Sequence, residues 1–199
     1  MLIHPHIILV SLWIAFGVLH SVLAGAWFKR RMQQLLQRNF KYYPLAYSIF
    51  AAVTMTGILL YQYHIPGKLL FTTPLWLIVP AGIGTSAGVI IMGMMIWKYF
   101  YYLSGISVFF TKEPPAVLQL GGLHRYVRHP LYTGTLLFIW SLFLLFPYTK
   151  HLLACIIITA YTLYGVQLEE KKLVAQYGEA YIKYRKRTPM LIPGLRRDK

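Results

Sequence analysis

Acidic side chains are scarce in this chain: five Asp and Glu stand against 20 Lys and Arg, for a formal net charge of +15. Charged residues of both signs fill only 13% of the 199 positions, where a soluble domain carries about 25%. Cysteine is nearly missing as well. Cys155 is the only one and stands in an apolar segment, so no intrachain disulfide exists and it reads as a small buried hydrophobe. The first three apolar segments hold no Asp, Glu, Lys or Arg in their interiors, which argues against an ion or proton pathway. The basic residues fall between apolar segments instead of forming a water-exposed face, which excludes nucleic acid as a partner. The first segment is too long, and too rich in Trp and His, for a cleaved leader, and is expected to remain as a helix.

Apolar residues, by contrast, make up 57% of the chain, and its mean hydropathy is +0.53. These values specify an all-α integral membrane protein. About five transmembrane helices are expected, over residues 7–28, 44–63, 74–99, 131–146 and 151–168. The linker 32–43 has room for one or two interfacial helical turns over 32–38, and Pro66-Gly67 marks a short turn. Pro80 falls near the start of the third span, whose Gly82, Gly84, Gly88 and Gly93 permit close helix packing. The last two spans form a C-terminal helical hairpin, followed by an amphipathic tail, 169–187, broken near Gly178 and closed by Pro189 and Pro193. The chain reads as a single membrane domain, 1–199, with three N-terminal spans in 1–100 and a cofactor-binding loop, hairpin and tail in 101–199. With the N-terminus outside, every Lys and Arg but Lys68 and Lys150 falls on the cytoplasmic side. That asymmetry sets the orientation of a multi-pass protein of the inner or plasma membrane, with the tail in the cytoplasm and membrane lipids as its surroundings.

The short link 147–150 forces the hairpin helices antiparallel, so residues 121–134, Gly-Gly-Leu-His-Arg-Tyr-Val-Arg-His-Pro-Leu-Tyr-Thr-Gly, should meet Glu169-Glu170 at one membrane face. Pro130 suits the first position of the fourth span, with His129 as its N-cap. The amides of Leu131, Tyr132 and Thr133 then form an anion site at the positive end of the helix dipole. Gly121, Gly122 and Gly134 permit close backbone approach to a ligand, and Tyr132 adds a π face and a hydroxyl. Glu169 and Glu170 are two of the five acids in a basic chain. They either pair with Arg125, Arg128 or nearby lysines, or hold the donors of a polar cofactor. An anion site beside a carboxylate suits a zwitterionic, cationic cofactor, and S-adenosylmethionine has that character. Its carboxylate would take the helix amides, and its ribose hydroxyls or ammonium group would take Glu169. Methyl transfer then asks mainly for alignment and desolvation.

The motif 122–134, followed by Glu169-Glu170, Leu173, Tyr177-Gly178, Tyr181, Tyr184 and Pro189, resembles the isoprenylcysteine carboxyl methyltransferase and phospholipid methyltransferase superfamily over roughly 117–193. The resemblance implies an α-helical membrane methyltransferase that uses S-adenosylmethionine beneath a cytoplasmic lid made of the loop before the hairpin and the tail after it. It places cofactor contacts on the loop around Ala116, with Val117, Leu118 and Gln119, on His124, on His129, Pro130, Leu131 and Tyr132, and on Glu169; the reading of the residues themselves adds Gly122, Gly134 and Glu170 to the cofactor-binding set. Arg128, His129 and Glu169 become the candidate catalytic residues, with Arg128 orienting cofactor or substrate; His129 and Glu169 are the candidates for a base. One departure concerns the acceptor. The carboxyl methyltransferases carry an arginine four residues before the first glutamate, where this chain has Gly165.

Residues 16–24, Phe-Gly-Val-Leu-His-Ser-Val-Leu-Ala, look like the first helix of the methanethiol S-methyltransferase and NnrU-like branches. Together with Gly165 they favour a small or lipophilic thiol over a carboxylate or a lipid headgroup amine. The pair His20-Ser21 reads as a helix-packing hydrogen bond or as a substrate-side group. Two other functions stay open. One is an NADPH-dependent membrane reductase of the sterol-reductase type, with Arg125, Arg128 and the tail lysines on the phosphates, although Glu169-Glu170 would repel a polyphosphate. The other is a non-enzymatic membrane accessory protein.

Overall fold

The computed structural model describes residues 4–103, 106, 118 and 120–195. Helix α1 (Pro5–Ala24) starts on Pro5, with His4 accepting the His6 amide. It stops four residues earlier than expected, because Gly25 adopts an extended conformation with φ −67° and ψ 143°. Trp27, Phe28 and the cations Lys29, Arg30 and Arg31 therefore belong to a separate helix, α2 (Ala26–Leu36), which buries none of its residues. A 3-10 stretch, Gln37–Tyr42, leads into α3 (Tyr43–His64). The expected polar linker, 32–43, is thus the end of α2 and the 3-10 stretch, and α2 itself begins within the expected first span.

Helix α4 (Leu75–Leu103) contains Pro80 and runs past position 99. A short 3-10 turn, Gly122–Arg125, precedes α5 (Pro130–Leu145), and α6 (Thr149–Tyr177) carries Glu169 and Glu170 within its helical run. Gly178, at φ +53°, takes a backbone conformation that L side chains disfavour and lets the chain turn into α7 (Glu179–Arg187). Among the described residues four helical stretches are long and apolar enough to cross a membrane: Pro5–Ala24, Ala26–His64, Leu75–Phe100 and Thr149–Tyr177. The remaining apolar helix, α5, has 16 residues, about 24 Å, which is short of a hydrocarbon core of about 30 Å.

The described residues form two interleaved units. The first comprises Met1–Phe71, Tyr99–Glu113 and Tyr148–Ile157. There α1 lies against α3: Trp13 Nε1 donates to Gln62 Oε1 at 3.0 Å, and the Tyr43 hydroxyl donates to the Leu23 carbonyl at 2.7 Å. Lys150 Nζ donates to the carbonyls of Tyr63 and Ile65, both at 2.9 Å, and so satisfies the C-terminal end of α3.

The second unit comprises Thr72–Lys98, Pro114–Pro147 and Ile158–Lys199. Its centre is a seam of small residues between α4 and α5. A Cβ on Gly88 would lie 2.7 Å from the Phe138 amide nitrogen and 2.8 Å from the Gly134 carbonyl oxygen, and one on Gly84 would strike Ser141 Oγ. Gly82 and Gly93, of the same glycine set, have open space at their Cβ positions. The α5 to α6 side is tied by Trp140 Nε1, which donates to Thr159 Oγ1 at 2.9 Å.

Candidate active site at the hairpin mouth

Pro130 opens α5 with His129 at the N-cap, as its fixed φ and missing N–H dictate. The Thr133 amide donates to the His129 carbonyl at 3.0 Å and closes the first helical turn. That amide is committed to the helix and drops out of the expected anion-binding set. Gly134 serves the α4 to α5 seam: a Cβ there would lie 2.8 Å from Ile91 Cγ2 and 3.1 Å from the Gly88 carbonyl oxygen. Helix packing accounts for it. Gly121 and Gly122 have open space at their Cβ positions, and Gly122 needs its positive φ of 66° to enter the 3-10 turn. Leu118 and Leu131 are half-buried, whereas Val117 and Gln119 lie outside the described residues.

Hairpin closure brings the basic motif onto the acidic pair, and the two glutamates meet different environments. Glu170 is the clasped one. Its Oε1 accepts from Arg128 Nε and Nη2, both at 2.7 Å, and lies 3.3 Å from His129 Nε2 and from the Tyr181 hydroxyl. Arg128 spends its remaining nitrogen, Nη1, on the backbone carbonyls of Arg185 and Thr188. Among the described residues the acidic pair thus takes Arg128 as its close arginine partner, with Arg185 Nη1 4.0 Å from Glu170 Oε2, and not Arg125. Tyr181 is 1% exposed, and its hydroxyl pKa is raised by burial and by the Glu170 carboxylate.

Glu169 stays outside this cluster. Its side chain is 43% exposed against 13% for Glu170, and its Oε2 lies 3.8 Å from His129 Nδ1, beyond hydrogen-bond range. The buried imidazole of His129 therefore stands between the two carboxylates, with the Tyr132 ring 5.8 Å away.

The tail closes over the mouth, as the lid implied by the resemblance would, and it does so through its backbone. The Arg128 amide donates to the Pro189 carbonyl at 2.9 Å and the His129 amide to the Met190 carbonyl at 3.2 Å. Thr133 Oγ1 donates to the Leu191 carbonyl at 2.8 Å, and the Tyr184 hydroxyl donates to the His124 carbonyl at 2.6 Å. Tyr181 and Tyr184 stand in the C-terminal motif, but Arg185, Thr188 and the carbonyls of 189–191 carry no sequence signal. His124 Nδ1 lies 3.2 Å from the Arg128 carbonyl. A carbonyl only accepts, so Nδ1 carries the proton and Nε2 is the acceptor nitrogen. Desolvation by burial holds the His124 pKa below its ordinary value of 6.5.

His20 of the first unit lies 2.9 Å from the Tyr47 hydroxyl, the helix-packing bond of the sequence reading. Gly165 has open space at its Cβ position.

The phospholipid methyltransferase family matches residues 81–180, from α4 through the motif and both glutamates into α7. Across most of its length the chain is also similar to proteins named methanethiol S-methyltransferase. That of Pseudomonas deceptionensis is 31% identical over 198 residues, covering 92% of this chain and 71% of the relative; that of Crocosphaera subtropica is 29% identical over 189 residues, covering 89% and 71%. The chain belongs to the phospholipid methyltransferase family. A shorter similarity, 36% over 80 residues covering 39% of this chain and 33% of the relative, links it to the protein-S-isoprenylcysteine O-methyltransferase of Schizosaccharomyces pombe. No solved structure matches it. Membership of the phospholipid methyltransferase family, with the long apolar helices, makes this a membrane methyltransferase and favours methyl transfer over the reductase and accessory alternatives.

Proposed function

We propose that the hairpin mouth binds S-adenosylmethionine and directs its methyl group to a small or lipophilic thiol. The observation that carries this assignment is the division between the two glutamates. Glu170 is consumed by Arg128, while Glu169 keeps an exposed carboxylate beside a buried histidine. A carboxylate next to the start of α5, in an otherwise basic region, fits a ligand with both ammonium and carboxylate groups better than a polyphosphate. When bound, the cofactor supplies a methyl group already activated by a sulfonium.

The protein's part is to bind and align. Glu169 accepts from the donors of the cofactor, and the helix start at Leu131 and Tyr132 faces its anionic end. His129, held by Glu170, stands beside Glu169 at the cofactor end of the mouth. Arg128 is locked to Glu170 and the tail carbonyls, so it orders the lid and contributes field rather than a direct contact. A thiol has a free pKa of about 8.5, and a cationic surround favours its thiolate, so the demand for a general base is small. The proton leaves to water.

Two features support a thiol acceptor: relatives named methanethiol S-methyltransferase, and glycine where a carboxylate-binding arginine would stand. We place the N-terminus outside and the mouth in the cytoplasm, with α5 crossing as the short arm of the hairpin and the whole chain acting as one membrane domain. Membranes holding the protein are incubated with methyl-labelled S-adenosylmethionine and with methanethiol, a prenylcysteine or phosphatidylethanolamine. Label in the volatile thioether is expected; label confined to prenylcysteine ester or lipid would overturn the thiol assignment.

A further inference from the structure

The first unit holds a second polar site, remote in sequence from the hairpin motif. A cavity of about 390 Å³ is lined by His20 of α1, Lys29 of α2, and Tyr43, Tyr47, Ser48 and Ala51 of α3. Its chemistry is one ammonium group with hydroxyl and imidazole groups around it. It sits where α1 ends and α3 begins, and the Tyr43 bond to the Leu23 carbonyl fixes that junction.

Charge identifies what such a cavity takes. Residues 26–42 hold Lys29, Arg30, Arg31, Arg38 and Lys41, and the sequence contains no acid before Glu113. The counter-anion of this basic stretch must therefore come from another part of the chain or from another molecule. The same three helices carry exposed apolar side chains: Val22 of α1 is 45% exposed, Trp27 and Leu35 of α2 62% and 72%, and Phe50 of α3 43%. A free anion would use only the ammonium, whereas a lipid would use both features, with its phosphate on Lys29 and its chains along the exposed apolar surface of the same helices.

We propose that this cavity is a binding site for the phosphate headgroup of an anionic phospholipid, with Lys29 as its cationic contact and the Tyr47 and Ser48 hydroxyls as its neutral partners. The assignment does not rest on the methyl-transfer reading. It makes α2 an interfacial helix moored to a particular lipid class.

The test uses the full chain in detergent, delipidated and titrated with phosphatidylglycerol or phosphatidylcholine, with bound lipid counted by native mass spectrometry. Phosphatidylglycerol should bind about tenfold more tightly than phosphatidylcholine, and Lys29→Gln should weaken it about fivefold. Arg30→Gln, on the same helix but outside the lining, should leave binding near wild type. Lys29→Arg should restore it. Lys29 is exposed, so its substitution leaves the fold intact, and Ala51→Leu, which narrows the cavity without touching a polar group, should weaken binding on its own. Equal losses for Lys29→Gln and Arg30→Gln would reduce the effect to diffuse charge and overturn the site. So would wild-type binding in Ala51→Leu, the absence of any headgroup preference, or displacement of phosphatidylglycerol by millimolar inorganic phosphate.

Discussion

Helix α5 is held on one side by glycines and on the other by charge. The α4 to α5 seam is packed by glycine: Gly88 and Gly134 let two backbones approach until no space remains for a methyl group. The clasp is the reverse, with the Arg128 guanidinium, the Glu170 carboxylate and the Tyr181 hydroxyl drawn together over the helix start and largely removed from water. A seam of this kind tolerates loss of any one hydrogen bond but not an added atom. A clasp tolerates small changes of volume but not a missing partner. The seam fixes the hairpin, and the clasp fixes the lid.

Removing one partner of the clasp should have the largest effect. Glu170→Ala leaves a buried guanidinium unpaired, at a cost of about 3 kcal/mol. Thermal unfolding in detergent should register that loss, and limited proteolysis should find the tail beyond Gly178 newly accessible. Gly88→Val should cost about 2 kcal/mol by overpacking and lower the unfolding temperature while the tail stays protected. Tail cleavage in both variants would mean that seam and clasp are one structure rather than two. Tyr181→Phe removes a single hydrogen bond to Glu170 and should cost about 1 kcal/mol, measurable as a smaller downward shift of the same transition. The smallest effect belongs to His124. Burial depresses its folded-state pKa, so the stabilising neutral form is fully present above the ordinary value of 6.5 and stability falls as pH drops through the folded value. His124→Gln should flatten unfolding temperature against pH below that point.

Much of this arrangement was legible in the sequence. The short 147–150 link and two apolar runs were enough to bring residues 128 and 129 onto the acidic pair, and the i, i+4 spacing of Gly84 and Gly88 foretold a packed seam. Gly178 marked the break before α7. Which glutamate is clasped was not legible, because adjacent helix positions point about 100° apart and the choice follows from the rotation of α6 against α5. The contacts that hold the tail over the mouth were hidden for a different reason: they use the carbonyls of 185 and 188–191, and backbone acceptors have no residue signature. Gly134 reads equally well as a ligand-approach glycine or a packing glycine, and only the position of α4 decides. The early end of α1 turns on the conformation of Gly25, in a run whose composition alone would continue the span.

The central claim is that Glu169, left outside the clasp, holds a methyl donor. Calorimetric titration of S-adenosylmethionine into the purified protein and its Glu169→Gln variant tests it most directly, with NADPH as the competing ligand and unfolding temperature as the check on folding. Saturable binding of S-adenosylmethionine to the wild type is expected, weakened about tenfold or more in the variant for loss of a charged acceptor, with no NADPH binding and an unchanged unfolding temperature. Wild-type affinity in Glu169→Gln would contradict it.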